Sequence, residues 1–462
     1  MTGSLTVDIV DGVRVVVPDS LDLITPFVLL EQQDWFEDEI RFLRRALRPG
    51  QQVLDIGANY GVYALSMAKT VGPSGRVVAF EPASETARLL AAGIAANGFD
   101  QVKLEKAALS SEIGQAQLSL NQDSELNALV RGAAAQAGAS ETVPVTTLDE
   151  ALMRHGWQSI DFVKIDAEGE EASILRGGVR FFRDLSPLVQ YEIRADAAVH
   201  LGLADQFAAR GYASYRLVPG LGVLVPFDPQ ATPDGYLLNL FACKPDRAER
   251  LEAEGLLLRA PPASPPEPAE ADGWRRSLAE LPYAVPLVSL WSQTVAAGVS
   301  AEVERALALH AMSRDAARPL AERHAALQGS LDVLRTVCGQ DTSFMRLASL
   351  ARVAQEAGER ALAVSALGQL ANTMNENRQA DAREPFLAPA ARFERIAPGA
   401  SFGSWIMAAV LEEFERLSLF SAFYAEMASL PRLEIIERLG LGSEEMRRRL
   451  QLVRRRFHLP GA

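Results

Sequence analysis

Val53-Leu54-Asp55-Ile56-Gly57-Ala58-Asn59-Tyr60-Gly61-Val62-Tyr63 reads as a strand that runs into a glycine-bearing turn and then a helix. Val53, Leu54 and Ile56 form a short apolar run suited to a strand buried on both faces, as in a parallel sheet. Gly57 and Gly61 allow a tight turn and close approach to a ligand, and an acid at the strand end can hold a polar or cationic group.

Upstream, residues 7–17 alternate on either side of Asp11-Gly12, a favoured two-residue hairpin turn. Trp35, Phe36, Ile40, Leu43 and Leu47 are spaced for one helix over 31–47, which Pro49-Gly50 ends. Downstream, the pattern predicts a helix over 63–70, a strand over 76–82 that finishes near Glu81, a helix over 84–97 and a strand over 102–107. Shorter strand-like pieces follow at 116–120 and 143–146, then strands at 160–166 and 188–193, and two last ones at 212–218 and 236–242. This alternation predicts an α/β fold, a mostly parallel Rossmann-like sheet with helices on both faces.

Near Leu258 the character changes. Pro261, Pro262, Pro265, Pro266 and Pro268 mark a semi-rigid linker over 259–272. Beyond it Leu347, Leu350, Ala351 and Ala354, then Ala361, Val364, Leu367 and Leu370, repeat at helical spacing on either side of Gly358. These predict a helix hairpin within an all-α domain, with one imperfect, repeat-like unit over 345–374. The expected organisation is a hairpin and helix over 1–50, an α/β domain over 51–258, the linker, and the helical domain over 273–462, which would serve packing, homodimerisation or a protein partner.

The chain of 462 residues carries a formal charge of −13, which argues against a general nucleic-acid binder, because phosphate neutralisation needs a basic surface. Its two cysteines, Cys243 and Cys338, lie far apart and fit neither a disulfide framework nor a thiolate metal site. A reducing cytoplasm is expected, since residues 1–8 lack a signal-peptide pattern. The uncharged run over 281–301 is interrupted by Pro282, Pro286 and Gly298 and reads as a buried helix, not a membrane span.

The turn motif is Asp-x-Gly-x-x-x-Gly, not the Gly-x-Gly-x-x-Gly of dinucleotide enzymes. Glu81, 20 residues after Gly61, sits at the end of the neighbouring strand, where a carboxylate can take both ribose hydroxyls. Nicotinamide and S-adenosylmethionine sites share this layout. Ala58-Asn59 stands where pyrophosphate would need a glycine, and Asp55 favours a cationic amine over two phosphates.

The Asp55–Gly61 block, Phe80-Glu81-Pro82, Ala107-Ala108-Leu109-Ser110, Thr147-Leu148-Asp149-Glu150 and the block from Val163 to Glu171 together resemble the FkbM family of class I S-adenosylmethionine-dependent methyltransferases. The resemblance covers about the first half of the chain. It implies S-adenosylmethionine as cofactor and O-methylation of a hydroxyl on a sugar, glycan or secondary metabolite. It also implies that Gly57, Asn59 and Gly61 line the methionine part of the cofactor with Asp55 close by. Glu81 would bind its ribose, and the backbone near Ala107 and Ala108 would border its adenine, although many class I enzymes carry an acid at that strand end.

Asp166 ends a central strand at the edge where open α/β sheets bind ligands, and Glu192 ends the next. Asp166 could take the acceptor proton, cap the following helix, or with Glu192 hold a divalent ion, which two oxygen ligands would make Mg2+ or manganese before zinc. Lys164 shares a strand face with Asp166, which permits an ion pair or a catalytic pair. Glu168 and Glu170 read as helix-start acids, Ser124 and Asn127 as loop residues within reach of an acceptor, and His200 as a surface residue. A NAD-dependent oxidoreductase and a non-catalytic scaffold for the helical half are the rival readings.

Overall fold

The computed structural model describes residues 3–461 apart from 122, 131–138, 196–197, 200, 263, 269–272, 297, 299–300, 341–342 and 378–380. His200 and part of the proline-rich linker therefore lie outside the described residues. The chain divides into two compact units, one of Met1–Leu217, Leu224–Thr232 and Leu237–Arg259, the other of Val218–Val223, Pro233–Tyr236 and Ala260–Ala462.

In the first unit the central sheet consists, among the described residues, of β1 (Gln52–Ile56), β2 (Arg76–Phe80), β3 (Val102–Glu105), β4 (Phe162–Ile165), β5 (Leu188–Glu192), β6 (Ala213–Val218), β7 (Val223–Pro226) and β8 (Asn239–Cys243). Their spatial order is β3-β2-β1-β4-β5-β8-β6-β7. From β3 to β5 neighbours run parallel, and β8 pairs antiparallel with both β5 and β6. The strand order reverses between β1 and β4, which places a ligand crevice at their carboxyl ends.

Side chains alternate between two apolar layers. Val53, Val77, Ala79 and Phe162 join one with the N-terminal hairpin and the helix Val62–Val71. Leu54, Ile56, Val78, Phe80, Val163 and Ile165 join the other with the helices Leu148–His155 and Val179–Asp184. Burial on both faces is why these strands read as continuous apolar runs. The hairpin pairs Ser4–Ile9 with Val13–Pro18 in the register Ile9↔Val13, so its loop is the three residues Val10–Gly12 and not the two expected, with positive φ at Asp11 (62°) and Gly12 (69°).

Two local expectations are corrected. The single helix over 31–47 is two, Ile24–Gln32 and Asp38–Ala46. Gln33 turns left-handed (φ 56°), and Asp34 anchors the break by accepting the Trp35 amide and a bidentate Arg44 contact at 2.7 and 2.8 Å. The strand expected over 102–107 stops at Glu105, and Ala108–Leu109 instead enters a small sheet with Gly114–Ser119, Leu129–Val130 and Ser140–Thr146.

In the second unit, described by itself, the helices Ala301–Arg314, Leu320–Gln340, Phe344–Ala357, Arg360–Asn377, Phe402–Ser418, Leu430–Leu439 and Glu444–Arg456 pack each on the next in chain order. Gly358 ends its helix with φ 81°, the hairpin turn expected between the two periodic segments. Within the run over 281–301 the helix is the nine residues Val288–Ala296, and it is not the buried helix expected: of its residues Trp291 alone is buried, donating to the Ala382 carbonyl at 2.9 Å. No helix among the described residues is long and apolar enough to cross a membrane.

Candidate active site

The crevice at the β1–β4 switch is a pocket walled by the glycine turn, the ends of β2 and β4, and pieces of chain from outside the sheet. Gly57 makes the turn possible. Its φ is +80°, and a β-carbon there would stand 1.7 Å from the Asp166 carbonyl oxygen. Its amide and that of Ala58 donate to the Phe80 carbonyl at 3.1 and 3.0 Å, and the Asp166 amide donates to Ile56 O at 3.0 Å. The turn is thus bonded to both neighbouring strand ends.

Glu81 is buried and already oriented, since one oxygen accepts the Asn59 amide (2.9 Å) and the other the Ala83 amide (2.8 Å). Burial pushes it up to about 7 against those two amides, with Asp55 and Glu141 adding to the rise. Each oxygen keeps a lone pair for a ligand hydroxyl. Ala107, Ala108, Leu109, Leu118 and Leu129 form an aliphatic slot in the same pocket. Gly61 is absent from the wall; it precedes the helix Val62–Val71 in a left-handed conformation and packs towards Leu90.

Asp55, Lys164 and Gln190 form a polar row inside the apolar layer. They are register partners across β1, β4 and β5, and each is buried. Lys164 Nζ lies 2.5 Å from Asp166 Oδ2 and 4.8 Å from the centre of the Tyr63 ring. Burial works against its charge, but Asp166, Asp55 and Glu37 outweigh it and hold the ammonium protonated well above the ordinary lysine range. Neither Asp55 oxygen takes a hydrogen bond of good geometry. Burial raises Asp55 to about 6, against the pull of Lys164 and, more weakly, of the Ala64 amide.

Asp166 does not cap the next helix. The helix Glu171–Arg176 has Glu170 at its N-cap and no side-chain cap, while Glu171 ties down the turn before it by accepting the amides of Ala167 (3.0 Å) and Gly169 (3.2 Å). Asp166, Glu168 and Glu192 instead bring carboxylate oxygens within 4.8 Å of one another. Glu168 is exposed as a residue, yet its carboxyl sits among acids, where lost hydration and then Asp166 push it up to about 8; the same causes take Glu192 to about 9. Glu168 joins this group through a left-handed backbone (φ 45°), which the sequence does not announce. Glu170 is turned away from it, accepting the Ser110 hydroxyl at 2.8 Å.

Four wall residues escaped the sequence reading. Thr25, Trp35 and Glu37 come from the two short helices and the break between them, and Glu125 comes from the loop that also brings Ser124 and Asn127. Ser124 donates to Asn59 Oδ1 at 2.8 Å, and Thr25 bonds Glu125. Tyr60 and Tyr63 both line the pocket. The Thr147-Leu148-Asp149-Glu150 block is structural: Thr147 Oγ1 accepts the Glu150 amide and Asp149 accepts those of Arg180 and Phe181.

Residues 55–213 match the family model described as the methyltransferase FkbM domain. No curated protein sequence matches the chain. Among solved structures the chain is similar to an S-adenosylmethionine-dependent O-methyltransferase from Thermotoga maritima (14% identity, 50% of this chain and 72% of that one, TM-score 0.25). An rRNA methylase from Streptococcus thermophilus is also similar (11%, 45% and 93%, TM-score 0.26). So is an O-methyltransferase from Bacillus cereus in complex with S-adenosylhomocysteine (13%, 45% and 80%, TM-score 0.26). Residues 55–213 are thus the part of the chain that carries a methyltransferase FkbM domain.

Proposed function

We propose that this protein is an S-adenosylmethionine-dependent O-methyltransferase acting on a hydroxyl of a sugar, glycan or secondary metabolite. The observation that carries the reading is the continuity of one pocket from Glu81 and the Ala107–Ala108 slot, past Asp55 and the glycine turn, to Lys164 and Asp166. Such a pocket aligns a bound donor with a proton acceptor, the main demand of an in-line displacement.

When bound, S-adenosylmethionine supplies an electrophilic methyl group on a sulfonium. Asp55 would face the cationic methionine end, Glu81 would accept from the ribose hydroxyls, and the alanine slot would receive the flat base. Asp166 would accept the acceptor's proton during the transfer. Lys164 balances the Asp166 charge before the transfer and orients its second oxygen. Trp35, Tyr60 and Tyr63 wall the pocket and would keep water from the reacting groups.

The three clustered carboxylates also suit a hard divalent cation, which would lower the hydroxyl's pKa. Proton acceptance is assigned to Asp166 alone because Lys164 already lies against it and supplies the positive charge. Calorimetric titration with S-adenosylmethionine, S-adenosylhomocysteine and NAD tests the cofactor. Micromolar binding of the first two with none of the third is expected, and tight NAD binding alone would end the reading.

A further inference from the structure

The polar row Asp55–Lys164–Gln190 has a cover supplied from outside the matched domain. Glu37, in the break between the helices Ile24–Gln32 and Asp38–Ala46, accepts the Tyr63 phenol hydroxyl and a hydrogen bond from the Trp35 side chain. The Tyr63 oxygen in turn accepts Gln190 Nε2 at 3.3 Å, and the face of its ring carries the Lys164 ammonium. A continuous chain therefore runs from Glu37 through Tyr63 to Lys164 and Asp166, with Gln190 pinning the phenol from the other side. Tyr63 lies at the start of the helix Val62–Val71, so its ring has one tether to the sheet, Gln190, and one to the N-terminal segment, Glu37.

We propose that Glu37 is a positioning residue of this active site: by fixing the Tyr63 phenol it holds the ring under Lys164, and so keeps the Lys164–Asp166 pair aimed at the acceptor hydroxyl. The inference rests on the O-methyltransferase reading above. It assigns a role in the site to a residue that precedes the matched domain by 18 positions. The groups that face Glu37 and Lys164 are Tyr63, Trp35, Asp55 and Asp166. The ammonium has the carboxylates of Asp166, Asp55 and Glu37 around it, and the Tyr63 ring, 4.8 Å away, closes one side of its position. A cation over an aromatic face is held by the ring's quadrupole and follows the ring when it moves.

The test uses the full chain with Glu37→Ala, Glu37→Gln, Tyr63→Phe and the double variant Glu37→Ala/Tyr63→Phe. Cofactor dissociation constants are read by calorimetry, and kcat by labelled methyl transfer to an accepted hydroxyl substrate. Glu37→Ala and Tyr63→Phe are each expected to lower kcat about tenfold with cofactor affinity unchanged within about twofold. Glu37→Gln, which still offers an oxygen to the phenol, is expected to stay within about threefold of the parent. The double variant is expected to lose no more than the worse single one, since both act through one hydrogen bond. The proposal is overturned if the Gln variant is as impaired as the Ala variant, if the two losses multiply, if both single variants keep full activity, or if cofactor affinity falls in step with kcat. A parent protein that binds S-adenosylmethionine but methylates no hydroxyl would defeat the functional reading instead, and would show it before any variant is made.

Discussion

The Asp166 carbonyl oxygen occupies the space that a side chain on Gly57 would need: a β-carbon there would lie 1.7 Å from it and 2.8 Å from its carbon. Two strands meet at this point, and backbone cannot retreat as a side chain can. Gly57→Ala is therefore expected to cost about 3 kcal/mol or more, through the clash and the positive φ together. Gly61→Ala meets side chains and no backbone, the Leu90 methyl at 2.2 Å and Leu65 at 3.4 Å, and is expected to cost about 1–2 kcal/mol from its φ of +88° and the shift of Leu90. Thermal melts of the two variants check the ranking, and calorimetry should show the larger loss of cofactor affinity for Gly57→Ala. Equal melting temperatures would contradict it.

Glu81 sets a pH dependence with a definite sign. Its folded pKa, about 7, lies above its free value of 4.5, so between the two the folded chain holds a proton that the unfolded chain releases. Its contribution to stability is present below about 4.5 and is lost as pH rises through 7. Cofactor affinity should move oppositely, because the ionised carboxylate is the better acceptor for ribose hydroxyls. Glu81→Gln is expected to reduce the fall in melting temperature between pH 5 and pH 8, to weaken cofactor binding about tenfold, and to flatten the rise in affinity between pH 6 and pH 8. A pH profile identical to that of the parent would place the ribose elsewhere.

Chelation separates the two uses of the acidic cluster. With the Lys164 ammonium 2.5 Å from Asp166, dialysis against EDTA is expected to leave methyl transfer within about twofold of the untreated protein. A loss that added magnesium or manganese restores would make Asp166, Glu168 and Glu192 ion ligands.

The parallel sheet was legible because β1, β2 and β4 are short apolar runs, each followed by a turn or helix signal, and burial on both faces leaves little else to read. That Asp55, Gly57, Asn59 and Glu81 line one pocket was legible because they follow one another at the end of adjacent strands. Glu37 and Trp35 were not. Trp35, Phe36, Ile40 and Leu43 keep a helical period straight across the break, and the break depends on Asp34 meeting Arg44, a contact ten residues away that no local pattern encodes. Glu168 was read as a helix-start acid for a similar reason, since its place beside Asp166 and Glu192 follows from one left-handed residue. Ala107 and Ala108 were placed by family likeness; the strand that precedes them ends earlier than its apolar pattern suggests, and Ala108 is held by the small second sheet.

The most direct test of the account is methyl transfer from labelled S-adenosylmethionine to hydroxyl acceptors fractionated from the producing cell, with Asp166→Asn run in parallel. Label is expected on a hydroxyl oxygen of a sugar, glycan or secondary metabolite, with kcat lower by about a hundredfold or more in Asp166→Asn while cofactor affinity stays within about threefold. Label on nucleic acid instead, or full activity in Asp166→Asn, would contradict it.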